Sequence, residues 1–141
     1  MGCQSHSTPP PALGPPAGYP YAMVMPDCAP WDALALTLYL TPTPTDSEPV
    51  APPFLRVSVY SSPSTVFGRA FQWKESISEI GTASRCLVGS FCLPAQAGRI
   101  RFYALQPDST VSGTVDLRFP DGSATRGRFQ ARWRGAPALC G

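Results

Sequence analysis

Histidine and lysine are almost missing from this chain: among 141 residues, His6 and Lys74 are the only ones. With its one histidine in a proline-rich leader, the rest of the chain has no Ser-His-Asp or Cys-His nucleophilic centre and no histidine metal site. Charged side chains make up 14% of the sequence and the net charge is +2, so bulk charge argues neither for nor against an anionic partner. No run of about 18 apolar residues occurs, and no bilayer-spanning helix is expected. The phosphate-cradling patterns Gly-x-Gly-x-x-Gly and Gly-x-x-x-x-Gly-Lys are absent. The N-terminus shows neither the basic nor the apolar region of a complete secretory signal.

What the chain does have is proline, arginine and cysteine. Most of its 18 prolines precede residue 54. Residues 1–26 (MGCQSHSTPPPALGPPAGYPYAMVMP) offer little to bury and read as a disordered, extended tether, whereas residues 27–141 have the composition of one folded domain. A domain of this size can bury about two-thirds of its unfolded surface, enough for one two-layer core.

The five cysteines are Cys3, Cys28, Cys86, Cys92 and Cys140. Setting Cys3 aside in the leader leaves four, the even number expected of an oxidised, exported domain. Three connectivities are open. Cys28–Cys140 with Cys86–Cys92 is preferred, because the first pair clamps the domain ends and the second staples the short stretch Leu87-Val88-Gly89-Ser90-Phe91. Buried free thiols in a cytosolic protein are the plainer alternative. The Cys86/Cys92 spacing falls outside the usual zinc pattern, and neither metal nor cofactor is expected.

Hydrophobic alternation at period two runs along most of the domain. It predicts strands near 33–40, 54–60, 65–73, 77–87, 99–105, 111–119 and 123–133, with a proline-rich loop over 41–53. The strongest unit is the last hairpin. Pro120-Asp121-Gly122 supplies turn chemistry and fixes a register in which Leu117 faces Thr125, Val115 faces Gly127, Gly113 faces Phe129 and Asp116 faces Arg126. The fold class expected is all-β, a compact sandwich of about seven antiparallel strands.

One surface feature stands out. Arg126, Arg128, Arg132 and Arg134 point off the core face of the last strand, and Arg118 lies on the neighbouring one. Such a row can recognise carboxylates, phosphates or sulfates; a solvated face that discourages edge aggregation is the plainer alternative. Nucleic acid is not expected, because exposed aromatics do not interleave with the arginines. The nine carboxylates are scattered. Glu75 and Glu79 would need to lie about 5–9 Å apart for glycosidase-like work, so a hydrolase ranks last and a non-catalytic protein is expected. Asp108 and Asp121 read as turn formers.

Gly2-Cys3, followed by a Ser/Pro/Gly-rich stretch, resembles the end of the lipobox of bacterial lipoproteins. That resemblance implies a start upstream of Met1, a lipid anchor on Cys3, and a location on the periplasmic or surface face of a bacterial cell envelope. Gly2 followed by Cys3 also resembles the doubly acylated start of some eukaryotic signalling proteins, a pattern that asks for Ser or Thr where this chain has His6. A chance cysteine in a disordered leader is the third possibility. On the lipoprotein resemblance, the chain is expected to be an accessory or binding protein touching an anionic glycan or an envelope protein. The alternative is a structural component that packs through its sheet surface into a larger complex.

Overall fold

The computed structural model describes residues 13–45, 49–89, 91–135 and 139–140. Among these described residues nine strands form one sheet: β1 (Tyr21–Cys28), β2 (Leu34–Thr41), β3 (Phe54–Val59), β4 (Ala70–Trp73), β5 (Gly81–Leu87), β6 (Phe91–Pro94), β7 (Ala97–Phe102), β8 (Thr110–Arg118) and β9 (Ala124–Trp133). The helix α1 (Pro63–Val66) is a single turn, opened by a proline whose missing N–H costs nothing at that position.

The order across the sheet is β4-β7-β8-β9-β1-β2-β3-β5-β6. The protein is all-β, but with nine strands rather than about seven and one continuous sheet rather than two separate ones. The reason lies in β1. It pairs along its whole length with β2, and Ala22 to Val24 also run parallel to Ala131 to Trp133 of β9. That three-residue parallel contact hydrogen-bonds the half made of β4, β7, β8 and β9 to the half made of β2, β3, β5 and β6.

The two halves fold face to face over a shared core. Leu36, Leu38 and Leu40 of β2 and Leu55, Val57 and Val59 of β3 belong to one buried cluster with Ile100, Phe102, Val111, Val115, Leu117 and Phe129. Trp73 joins the same core through a slot over Gly98, where an added Cβ would strike its ring. The segment after β6 bridges the layers, with Ala95 N–H donating to Ala83 and Gln96 N–H to Arg118. A second, smaller cluster on the other face of β1 and β2 buries Met23, Met25 and Tyr39 against Val50 and Phe54.

The β8–β9 hairpin has the register read from its turn. Leu117, Val115 and Gly113 oppose Thr125, Gly127 and Phe129, and Asp116 opposes Arg126. Gly122 takes the left-handed conformation at φ +86°. Elsewhere the sequence boundaries shift. The 26/27 limit between leader and domain cuts through β1, and the fold reaches further back still. Arg128 N–H donates to Gly14 O at 2.8 Å, Tyr19 N–H donates to Pro16 O at 2.9 Å, and Tyr19 packs on the core. Residues 14–19 therefore cover the part of the β9 edge that β1 is too short to reach. The stretch 65–73 divides into α1 and β4, and β6 is an additional edge strand.

Both disulfides join the cysteine pairs preferred from sequence. Cys28–Cys140 closes a separation of 112 residues, and Cys86–Cys92 closes one of 6. Cys3 lies outside the described residues.

Candidate functional site

The outer face of β7, β8 and β9 collects cations because inward and outward residues alternate strictly along all three strands. Ile100 and Phe102 point into the core, which turns Arg99 and Arg101 outward. Val115 and Leu117 do the same for Asp116 and Arg118, and Gly127, Phe129 and Ala131 for Arg126, Arg128 and Arg132. Registers then set the neighbours. Thr114 lies between Arg101 and Arg128, and Asp116 between Arg99 and Arg126. Six arginines share this face with Asp116, the only carboxylate carried by the three strands.

The sequence reading named Arg118, Arg126, Arg128 and Arg132 of this set and missed Arg99 and Arg101. Their signal was present in the alternation Arg99-Ile100-Arg101-Phe102. Arg134 stands apart from the row: it follows β9, is half-buried, donates its backbone N–H to Val24 O at 2.8 Å, and is engaged within the fold.

At one end of the face a cleft of about 240 Å³ is lined by Gln72, Lys74, Arg99, Asp116 and Arg118. It shares Lys74, Ala97 and Arg118 with a second hollow of about 270 Å³ that reaches Ser123 in the β8–β9 turn. Arg99 donates to Gln72 Oε1 at 3.4 Å. Three cations and one carboxylate around so small a volume suit a sulfate, a phosphate or a carboxylate.

Two polar groupings elsewhere are structural. Asp27 Oδ2 accepts from Thr37 Oγ1 at 2.7 Å and from Arg56 Nη2 at 3.0 Å. Thr37 has one hydroxyl proton and gives it to Asp27, so Ser58, 2.9 Å from Thr37 Oγ1, donates to Thr37. Burial works to raise the Asp27 carboxyl, but bonds from Thr37, the Cys28 N–H and Arg56 outweigh it and hold the group below its ordinary value. Tyr60, beside this network, is pushed up, first by burial. The network satisfies Thr37 and Ser58, both fully buried.

The turn aspartates behave as expected of turn formers. Asp108 Oδ1 accepts from the N–H and hydroxyl of Thr110, and Asp121 Oδ1 from those of Ser123. Glu75 and Glu79 both line an open groove of about 640 Å³ along the β4–β5 connection, together with Lys74 and Ile77. Among the described residues no three His, Cys, Asp or Glu side chains converge as a metal site, and no helix is long and apolar enough to cross a membrane. Comparison with protein-family models, curated proteins and solved structures gives no match for this chain.

Proposed function

We propose that this chain is a non-catalytic binding or accessory protein of a bacterial cell envelope, lipid-anchored at Cys3, which takes an anionic glycan or an acidic protein surface on its β7–β8–β9 face. The supporting observation is the set of six outward arginines against the single carboxylate of Asp116. Arg101 and Arg128 are two strands apart, about 10 Å. In water two unit charges at that distance repel by only about 0.4 kcal/mol. Each such repulsion is small, and a polyanion spanning several arginines gains a charge-assisted contact at each.

The two disulfides fit an oxidising, exported setting. The anchor rests on the Gly2-Cys3 resemblance alone, and the mass of Cys3 in protein extracted from native membranes tests it directly.

Retention on a sulfated-polysaccharide matrix at low ionic strength tests the binding face. Arg101→Ser combined with Arg128→Ser should elute at clearly lower salt than the parent chain. Elution at the same salt would retire the reading.

A further inference from the structure

The β5–β6 hairpin ends in an apolar tip that the fold leaves uncovered. Leu87 is 42% exposed, Val88 76% and Phe91 60%. Leu87 and Phe91 are register partners across the hairpin, and the next rung is Cys86 opposite Cys92, joined by a disulfide. The tip cannot splay or fold back, so these side chains are held outward together. From Cys86 to Pro94 no residue is charged. The charge that precedes it in the sequence, Arg85, is turned onto Asp121 at 2.9 Å.

The tip also shares an end of the molecule with the incoming leader. Tyr21 pairs with Thr41, Leu40 with Leu55, and Phe54 with Cys86, so the start of β1 and the tip cap the same end of neighbouring strands. Arg85 reaches Asp121 in the β8–β9 turn, and Gly14 lies beside Arg128 on the turn side of the β9 residues that pair with β1. The eleven residue steps from Cys3 to Gly14 would span about 34 Å in a polyproline conformation. A chain held to a bilayer at Cys3 therefore has this end, where the leader enters the sheet, within reach of the lipid.

We infer that the stapled tip is a second membrane contact, in which Leu87, Val88 and Phe91 enter the interfacial layer of the bilayer that holds the leader. The inference rests on the envelope-anchor reading for its setting. Three side chains bind a bilayer weakly by themselves, but a short tether raises their effective concentration to the millimolar range and makes the insertion intramolecular. The tip then fixes the domain's orientation and leaves the arginine face to the side.

The test uses the full chain coupled through the Cys3 thiol to a maleimide lipid in neutral phosphatidylcholine vesicles, so it does not depend on native lipidation. Phe91→Trp and Ile77→Trp chains are compared for quenching by brominated acyl chains, against the background of the three native tryptophans. Added quenching should appear with tryptophan at 91 and be absent with tryptophan at 77. Adding Val88→Asp to Phe91→Trp should reduce it at least fivefold, with circular dichroism unchanged, while Arg101→Ser with Arg128→Ser should leave it intact. Equal quenching at both positions, none at 91, or no effect of Val88→Asp would overturn the inference. So would a tip that shields itself by pairing two copies of the chain, seen as a dimer that Val88→Asp dissolves.

Discussion

The Asp121 carboxylate receives Arg85 on one oxygen and its own turn on the other: Arg85 Nη2 donates to Oδ2 at 2.9 Å, while the Ser123 N–H and hydroxyl donate to Oδ1. The same guanidinium lies 4.5 Å over the Phe119 ring. One side chain of β5 thus touches both the acid and the aromatic residue of the β8–β9 turn, and ties the two halves of the sheet at that end.

The two attachments are unequal. Asp121 is held down at about 2, first by the Ser123 hydroxyl and then by the Ser123 N–H, with Arg85 a smaller cause. Ser123→Ala should therefore raise the Asp121 titration midpoint by more than Arg85→Met does. The sign follows for stability. A depressed carboxyl contributes above its unfolded value, near 4, and the contribution is lost as pH falls from there through about 2. Carboxyl-carbon NMR titration checks the order; a larger rise in Arg85→Met would contradict it.

The disulfides should differ in weight because they close loops of different length. On the chain-entropy account, removing Cys28–Cys140 by a double serine substitution costs about 4–5 kcal/mol, and removing Cys86–Cys92 about 2. Urea unfolding without reductant measures both. A reversed order would mean that the long bond is not acting as a clamp on the unfolded chain.

Asp27→Asn keeps the shape of the side chain but replaces one acceptor oxygen by an amide, which then meets either the Cys28 N–H or the Arg56 guanidinium as donor against donor. The expected loss at pH 7 is about 1–2 kcal/mol, toward the lower figure because the Arg56–Asp27 pair is partly exposed. The wild-type advantage is complete above the ordinary carboxyl value and disappears as pH falls through the lowered value of Asp27. Melting curves of the two proteins should therefore converge in acid. A gap that is constant with pH would mean that the carboxylate charge contributes nothing.

Residues 14–19 should be part of the folded unit. A chain beginning at Tyr21 exposes core beneath Tyr19 and takes the acceptor from Arg128 N–H. It should be about 2–3 kcal/mol less stable than one beginning at Leu13. Equal stability of the two would return this stretch to the tether.

How much of this the sequence displayed depended on whether one face of a strand meets water. The β8–β9 hairpin was legible to the register because Val115, Leu117 and Phe129 alternate with Asp116, Arg126 and Arg128. β1 was illegible for the opposite reason. Val24 is buried on one face and Met23 and Met25 on the other, so no alternation appears, and Pro26 reads as a break in a proline-rich leader. β6 is too short to show a period. The arginine face was half legible: Arg126, Arg128 and Arg132 form a visible row, but only the sheet order places Arg99 and Arg101 beside them. The tip of the β5–β6 hairpin was noticed only as a loop to be stapled, because exposure of Val88 and Phe91 is a property of the packed fold.

The ring-over-glycine pair read from the hairpin turn gives the sharpest test of packing. Gly113 opposes Phe129 on β9 and Phe102 on β7. A methyl group at 113 would collide with the Phe129 ring and with the Arg101 carbonyl oxygen. The ring could shift, but the carbonyl belongs to the β7–β8 ladder and cannot move without breaking it. Gly113→Ala should therefore cost about 3 kcal/mol. Shortening the ring in the same chain with Phe129→Leu should recover only part of that loss relative to Phe129→Leu alone, because the backbone collision remains. A double-mutant cycle by urea unfolding separates the two contacts. Full recovery would show that the ring alone demands glycine there, and that the strands at Arg101 have room to spare.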